Sequence, residues 1–255
     1  MEPFIPTFSP GVGYYAKRVL EGEPFSLVRY GNGEWKLIVP DLPEWRRRRG
    51  KDSKPPSPLR QMWESPTGRK ATRESFLLTP KEENYFPAIW HQPMSRARGW
   101  LPVVKRFLVE NGLEDLPWHD GNVFKDAVET DRMERMVLAL RSQPLPVFLI
   151  GPDHLSLLGD YLPVERHVVT HMMLHPVDDV LRLEEEVLAC SQPGIFAFSC
   201  AIVGKILVQR LYPLLGQESF LIDFGSSWDG YCGHKSRGYH KSLTPKRIKL
   251  VLEGR

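Results

Sequence analysis

The second half of the chain alternates short apolar runs with longer segments of helical periodicity. This alternation is typical of a parallel sheet with helices packed on both faces. The apolar runs predict strands at residues 146–151, 165–170, 194–200 and 219–225, and the periodic segments predict helices at residues 153–161, 177–191 and 201–215. We therefore predict an α/β fold of the Rossmann-like type with a mostly parallel sheet.

The first half has a different pattern. The run FSLVRY at residues 25–30 predicts one buried strand that ends at Gly31. Proline, glycine and basic residues dominate residues 40–79, which indicates a long loop or insertion outside the core. Helical patterns then follow at residues 79–90, 100–110 and 131–142. We expect one α/β domain over residues 1–255, with a helical and loop insertion at about 40–142.

The overall composition is that of a soluble globular protein, with 42% hydrophobic and 25% charged residues. No apolar run is long enough to span a bilayer, and the first residues lack the basic and apolar regions of a signal peptide. The cysteines Cys190, Cys200 and Cys232 form no C-x-x-C pair, which favours reduced thiols over zinc or a redox site. We expect a cytoplasmic protein without a membrane span.

Positive charge is concentrated in one segment. Residues 44–54 carry six Lys or Arg against two acids, a local balance of +4 in a chain whose net charge is +3. Such a run beside prolines is most often a solvated loop, and the alternative is an arm that contacts phosphates with strong salt dependence. The basic residues are Arg46, Arg47, Arg48, Arg49, Lys51 and Lys54.

Polar residues follow each predicted strand, where ligands bind in open α/β sheets. They are Arg29, Asn32 and Glu34 after the first, Gly151 and Asp153 after VFLI, Ser199 and Cys200 after GIFAF, and Asp223 and Gly225 after FLI. Singly, each has an ordinary explanation, because glycine forms turns and aspartate caps helices. Together they predict one crevice at the carboxyl edge of the sheet.

Two phosphate-binding motifs are nearly present and both fail. The stretch SCAIVGKIL starts a predicted helix whose free N–H groups suit phosphate, and it contains Gly204 and Lys205. It is no P-loop, because Ser199 stands where glycine is needed and Ile206 where Ser or Thr is needed. GNGEWK likewise has Lys36 in place of the third glycine of a dinucleotide fingerprint. ATPases and NAD enzymes are therefore disfavoured.

The ordered blocks RYGNGEW, VFLIGPDHLSLL, GIFAFSCAIVGKILVQRL and LIDFGSSWD resemble bacterial and phage glycosyltransferases of the GT-D fold. The resemblance covers residues 25–34 and 146–240, and the middle of the chain matches poorly. It implies transfer of a sugar from a nucleotide donor, with a UDP-sugar favoured. In that family the first block carries an Asp-x-Glu pair that binds a divalent cation, Mn²⁺ or Mg²⁺. Here the pair is Asn32 and Glu34, so the first carboxylate is missing and metal dependence is open.

The resemblance also implies roles for individual residues. Arg29 would pair with phosphate oxygens, while Gly31 and Gly33 would take positive φ and let the backbone approach the donor. Glu34 and Asp223 become catalytic candidates, and Asp229 is the candidate general base for the acceptor hydroxyl. The further donor-binding candidates are Gly151, Asp153, Ser199, Cys200, Gly204, Lys205, Gly225, Arg237 and His240.

The acceptor is left open by the sequence. The basic segment at residues 44–54 favours nucleic acid, for instance a hydroxymethylated base in phage-type DNA, which would have to be flipped out or single-stranded. Two alternatives remain. Asn32 would also fit a non-catalytic nucleic-acid-binding protein with a degenerate transferase site, and the anion-binding loops would also fit a phosphotransferase.

Overall fold

A computed structural model describes residues 7–39, 42, 64–89, 98–170, 176–190 and 192–255 of the chain. The predicted phosphate-contacting arm, with Arg46, Arg47, Arg48, Arg49, Lys51 and Lys54, lies outside the described residues. No helix among the described residues is long and apolar enough to cross a membrane.

Among the described residues, the centre of the fold is one parallel sheet of seven strands in the order β3-β2-β1-β7-β6-β4-β5. The strands are β1 at Ser26–Arg29, β2 at Tyr85–Ile89, β3 at His119–Asp120, β4 at Val147–Gly151, β5 at Val164–Val169, β6 at Ile195–Phe198 and β7 at Phe220–Asp223. All strands run in the same direction, so their carboxyl ends share one edge. The predicted α/β class with a mostly parallel sheet is confirmed.

Helices connect the strands and cover the sheet. The α-helices are α1 at Val12–Leu20, α2 at Asn32–Ile38, α3 at Pro66–Leu77, α4 at Leu101–Glu110, α5 at Val123–Glu129, α6 at Met133–Ser142, α7 at Pro176–Leu188, α8 at Ala201–Leu215 and α9 at Pro245–Glu253. Short 3-10 helices occupy Arg98–Trp100, Asp153–Asp160 and Gly238–Ser242.

Both faces of the sheet are buried, as continuous apolar strands require. Successive strand residues point to opposite faces, so Val28 joins one hydrophobic core and Leu27 the other. Helices α2, α3, α4, α7 and α8 pack on the first face, and α1, α5, α6 and α9 on the second. The layers on the two faces leave the carboxyl edge of the strands as the place for a site.

The prediction for residues 79–90 was wrong, because this segment contains strand β2 and not a helix. Thr79, Pro80 and the following acids give a helix-start signal, but the next residues pair in parallel with β1 and are buried along their whole length. Pairing inside the sheet therefore overrides the local signal. The second strand of this region, β3, was also missed, and it adds to β2.

Part of the region predicted as an insertion belongs to the core. Helix α3 falls within residues 40–79, and its Phe76 is completely buried against Trp35 and Tyr30. The expectation that this segment lies outside the core is therefore wrong for α3. Residues 85–89, inside the predicted insertion at 40–142, supply a strand that is hydrogen-bonded to β1.

The helices predicted in the second half are close to those observed. Helix α8 has the predicted bounds, because a long apolar stripe lets Val203, Leu207 and Leu211 pack on the sheet. Strand β5 ends the sheet formed by the described residues, and its Glu165 and Arg166 are exposed. The remaining strands of the second half are buried, so β5 is the exposed edge of this half.

Candidate active site

The first strand and the last strand bring Arg29 and Asp223 together. β1 and β7 are parallel neighbours with Leu27 opposite Ile222, so their carboxyl ends lie side by side. The Arg29 backbone N–H donates to Asp223 Oδ2 at 3.1 Å, and Arg29 Nε donates to the Asp223 carbonyl at 2.7 Å. The guanidinium also lies 5.1 Å from the centre of the Phe124 ring, a cation–π distance. Arg29 is thereby held in one place at the edge of the sheet.

Lys205 places a second cation beside these groups. It lies one turn into α8, its Nζ is 3.1 Å from Asp223 Oδ2 and 3.4 Å from Glu34 Oε1, and it donates to the Ala201 carbonyl at 3.2 Å. Burial lowers the pKa of the Lys205 ammonium, but Asp223 and Glu34 more than offset this, and the net pKa is raised. Lys205 is therefore protonated in the folded protein.

Glu34 enters the site from the first turn of α2. Its Oε2 accepts a hydrogen bond from the Gly31 N–H at 2.9 Å, which caps the helix. This contact explains the sequence Arg-Tyr-Gly-Asn-Gly-Glu at residues 29–34. The Glu34 carboxylate accepts from the Gly31 N–H and so stabilises the start of the helix. The expectation of positive φ at Gly31 and Gly33 was wrong, because neither glycine has positive φ and the chain is helical from Asn32 onward. Asn32 begins the same helix.

Among the glycines of this site, Gly225 is the one whose backbone conformation favours glycine. Its φ is +55°, and a Cβ at this position would lie 2.4 Å from Arg29 Nη2. Its N–H donates to Asp223 Oδ1 at 2.9 Å. The Arg29 backbone N–H and the Lys205 ammonium contact the other oxygen, Oδ2. Both oxygens of the fully buried Asp223 are therefore engaged. Asp223 thus holds two cations in place and exposes no free oxygen.

The segment between β6 and α8 forms one wall of the site. Ser199 is 8% exposed, and its Oγ has no hydrogen-bond partner among the described residues. Cys200 is the residue before the first turn of α8, and Gly204 packs tightly against it, since a Cβ there would lie 3.1 Å from Cys200 Sγ. Gly151 ends β4 beside Ser199, where a Cβ would lie 3.1 Å from the Ser199 Cβ. The glycines permit close packing of this wall.

A second polar cluster lies beyond β7 and β4 at the same edge of the sheet. Asp229 is 7% exposed, and its Oδ2 accepts from Ser236 Oγ at 2.6 Å. Its Oδ1 lies 3.1 Å from His154 Nε2. Because a carboxylate only accepts hydrogen bonds, this contact places a proton on Nε2, and in the neutral ring Nδ1 of His154 is then the accepting nitrogen. The His154 ring also stacks on His234 at 4.7 Å.

Sequence reasoning missed His154, although it named its neighbour Asp153, which is exposed. The signal was available, because His154 directly follows the end of a predicted strand, as the other candidates do. What the sequence could not show is the contact between His154 and Asp229, which are separated by 75 positions.

The two remaining candidates have different surroundings. Arg237 is exposed, and its Nε donates to Ser226 Oγ at 3.0 Å, while Ser226 also contacts the Tyr239 hydroxyl at 3.0 Å. His240 has no exposed surface, and its Nδ1 accepts from the Arg237 N–H at 3.3 Å. Burial lowers the pKa of His240 despite the nearby Asp229. His240 was placed in the donor-binding set, but its complete burial leaves no surface for a donor to contact.

Comparison with solved structures identifies the fold. The chain superimposes on a glycosyltransferase of the domain-of-unknown-function 1792 group from Streptococcus sanguinis with a TM-score of 0.57 and 12% identity, over 98% of this chain and 95% of the other. A further protein of that group, described as having a distinct glycosyltransferase fold, gives a TM-score of 0.53 and 14% identity over 89% and 81% of the two chains. The chain matches no protein-family model and no curated protein sequence. The glycosyltransferase resemblance is thus confirmed for the fold.

Proposed function

We propose that this chain is a glycosyltransferase of the GT-D type that moves a sugar from a nucleotide-sugar donor to an acceptor hydroxyl. The observation that carries the proposal is the cluster of Arg29, Glu34, Lys205 and Asp223 at the carboxyl edge of the sheet. This edge is where open α/β sheets bind ligands, and the fold is one shared with glycosyltransferases.

The donor diphosphate is assigned to Arg29 and the start of α8. Arg29 Nε and Nη1 each donate to a backbone carbonyl, so the guanidinium offers its remaining N–H groups and its charge to phosphate oxygens. The first turn of α8 offers unpaired backbone N–H groups. The buried Ser199 hydroxyl lacks a partner within the described chain and supplies a further donor. The nearby backbone of Gly31, Gly33, Gly151 and Gly225 completes the donor-binding set, with a UDP-sugar as the favoured donor.

The reaction places opposite charges at two points. The acceptor oxygen forms a bond to the anomeric carbon, the bond from that carbon to the diphosphate oxygen breaks, and its electron pair remains on the diphosphate. Positive charge develops on the sugar ring and negative charge on the leaving group. Arg29 lies where the leaving group is stabilised. Glu34, whose side chain is 15% exposed and whose oxygens contact the Gly31 N–H and Lys205, is assigned to offset the positive charge on the sugar ring.

We assign removal of the acceptor hydroxyl proton to the second polar cluster, around Asp229 and His154. Asp229 was the candidate general base from the sequence, but both of its oxygens already accept hydrogen bonds. His154 is more exposed than Asp229, with side-chain exposures of 27% and 11%. We therefore assign the base to His154 Nδ1 and a positioning role to Asp229, which fixes the tautomer and offsets the charge that forms on the ring. Asp223 is likewise a positioning residue for Arg29 and Lys205.

The acceptor we favour is a hydroxyl on nucleic acid, such as a hydroxymethylated base. The support is the basic segment with Arg46, Arg47, Arg48, Arg49, Lys51 and Lys54, whose charge would attract a phosphate backbone. The runner-up is a non-catalytic nucleic-acid-binding protein, for which Asn32 in place of a carboxylate is the favouring observation.

The test is release of a nucleoside diphosphate from a panel of sugar nucleotides, with and without DNA that carries hydroxymethylated pyrimidines. Donors that bind should also raise the melting temperature, since a ligand selective for the folded state stabilises it. Binding of DNA without any donor turnover would support the runner-up. ATP turnover in the absence of sugar nucleotide would instead identify a phosphotransferase.

A matched pair of arginine variants tests the placement of the donor. Arg29→Gln should weaken sugar-nucleotide binding by about tenfold to a hundredfold, the effect of losing a charge-assisted hydrogen bond. Arg210→Gln is the control, because Arg210 pairs with Glu184 on the exposed surface of α8. Isothermal titration with the best donor measures both. Equal affinities for the two variants would contradict the placement.

A further inference from the structure

The ammonium of Lys205 bridges two carboxylates from separate elements. Glu34 comes from α2 and Asp223 from β7, and Lys205 Nζ lies 3.4 Å and 3.1 Å from their oxygens. Lys205 is 6% exposed, so these contacts are shielded from water and electrostatically strong. Lys205 and Arg29 together balance the two negative charges of Glu34 and Asp223.

A divalent cation was predicted at Asn32 and Glu34, but of this pair only the buried Asn32 Oδ1 has no partner among the described residues, and one free oxygen does not fit such a cation. Mg²⁺ and Mn²⁺ are bound by several oxygens, commonly from carboxylates. Glu34 Oε2 accepts the Gly31 N–H, and its Oε1 faces the Lys205 ammonium. Both oxygens of Asp223 are engaged as well. Within the described ranges, no group of three or more His, Cys, Asp or Glu side chains is placed to hold a metal ion.

We propose that Lys205 takes the place of a divalent cation, so that the site binds the donor diphosphate without a metal. A metal at such a site neutralises the protein carboxylates, which would otherwise repel the diphosphate, and adds positive charge near the leaving group. The Lys205 ammonium provides this neutralisation from inside the protein, and Arg29 is left to face the phosphate oxygens. The part of this inference that concerns the diphosphate rests on the proposed function. The test of metal uptake does not depend on it.

The chain also shows why Asn32 is compatible with this arrangement. A carboxylate at position 32 would add a third negative charge near Glu34, and a single ammonium could not neutralise it. A neutral amide avoids that excess. Asn32 and the buried Lys205 are therefore consistent with one and the same charge balance.

The first experiment uses the unaltered protein and two readouts. Titration calorimetry with uridine diphosphate should give the same affinity in EDTA and in excess Mn²⁺. In the absence of nucleotide, which itself complexes Mn²⁺, the Mn²⁺ signal in electron paramagnetic resonance should remain that of the free ion when the protein is added. Stoichiometric Mn²⁺ uptake, or an affinity that falls about tenfold or more in EDTA, would overturn the proposal.

The second experiment removes the ammonium. In Lys205→Met only Arg29 remains to balance the two carboxylates, so the affinity for uridine diphosphate in EDTA should fall by about tenfold or more. Mn²⁺ should restore it in part, and the double variant Asn32→Asp, Lys205→Met should take up Mn²⁺ in the resonance experiment. Unchanged affinity of a folded Lys205→Met variant would show that Lys205 is only structural.

Controls separate folding from binding. Lys205→Arg keeps the charge and should keep binding insensitive to EDTA, and Lys249→Met removes an exposed lysine of α9 and should change nothing. Circular dichroism and the melting temperature confirm the fold of each variant. If no variant and no unaltered protein bound any sugar nucleotide, the proposed function would fail, whereas Mn²⁺ uptake by the unaltered protein would overturn the lysine proposal alone.

Discussion

Gly225 determines whether Arg29 can lie beside Asp223. Its positive φ is a conformation that side chains disfavour, and the space next to its Cα is filled by the guanidinium. Gly233 also has positive φ, at +79°, but a Cβ there would meet nothing within 4 Å. The two glycines therefore share the backbone strain and differ in the contact with Arg29.

Gly225→Ala and Gly233→Ala should both lower the free energy of unfolding by about 1–2 kcal/mol, the cost of a left-handed alanine. Only Gly225→Ala should also displace Arg29 and weaken sugar-nucleotide binding, by about tenfold. Urea unfolding and titration calorimetry measure the two effects. Similar donor affinities in the two variants would show that Arg29 does not contact the donor.

His154 should affect the transfer step and not donor binding. In His154→Gln the nitrogen that takes the acceptor proton is lost, so kcat should fall by about 10²–10⁴-fold while the donor affinity stays the same. Ser236→Ala serves as the comparison, because it removes one hydrogen bond from Asp229 and leaves the imidazole in place. A loss of donor affinity in His154→Gln, with normal turnover of bound donor, would argue against its role as the base.

At the scale of elements, β3 and α1 meet at a buried histidine. His119 is 4% exposed, its ring stacks on Phe86 at 4.3 Å, and its Nδ1 lies 2.7 Å from the Tyr15 hydroxyl. Burial lowers the pKa of His119 to about 4, and the positive charge of Arg18 adds to this. The folded protein therefore holds His119 in the neutral form.

This pKa makes the packing of α1 on β3 sensitive to acid. The unfolded chain binds the proton near pH 6.5 and the folded chain only near pH 4, so stability is complete above about 6.5 and falls as the pH drops towards 4. The loss is on the order of 3 kcal/mol. His119→Phe keeps a ring against Phe86 and should remove this part of the pH dependence, as measured by urea unfolding between pH 7 and pH 4.

If His119→Phe lost stability as steeply as the unaltered protein over that range, other groups would have to account for the acid sensitivity. Tyr15 is the partner most affected by the substitution, because its hydroxyl loses the contact with His119. A uniform decrease in stability at every pH would reflect that lost hydrogen bond and would not bear on the titration.

The sequence was sufficient for elements whose local pattern agrees with their burial. Helix α8 and the buried strands β4, β6 and β7 were predicted because their apolar runs are continuous and separated by helical periodicity. Strand β2 was not, because its neighbours on both sides come from distant parts of the chain. Helix α2 was not predicted, because Gly31 and Gly33 disfavour a helix locally, whereas the contact of Glu34 with the Gly31 N–H stabilises the helix start.

Part of the candidate site could also be predicted from local patterns in the sequence. Arg29, Glu34 and Asp223 follow apolar runs, and the rule on strand ends was enough to place them together. The same rule placed Lys205 in the donor set, but its contact with both carboxylates depends on how α8 lies across the sheet. The pairing of His154 with Asp229 depends likewise on the turn after β7, which no local pattern encodes.

At the scale of the whole molecule, charge is distributed unevenly between the sheet domain and the basic segment. Replacing Arg46, Arg47, Arg48 and Arg49 with Gln would change the net charge from +3 to −1, since four positive charges are removed. If the segment contacts phosphates, DNA affinity should fall and its dependence on salt should flatten, by about 0.9 in logarithmic slope for each lost contact.

Fluorescence anisotropy with labelled DNA over a series of salt concentrations measures both quantities. Donor binding at Arg29 should be unaffected and provides the internal control. An unchanged slope would mean that the segment is a solvated loop, and that the acceptor is recognised elsewhere on the molecule.

The exposed charges of strand β5 have a consequence for solubility at high concentration. A strand at the end of a sheet presents unpaired backbone groups to which a strand of another copy can add. Glu165 and Arg166 oppose such addition, because a docking strand would have to desolvate both charges. The most exposed end of the apolar sheet is thereby protected against ordered aggregation.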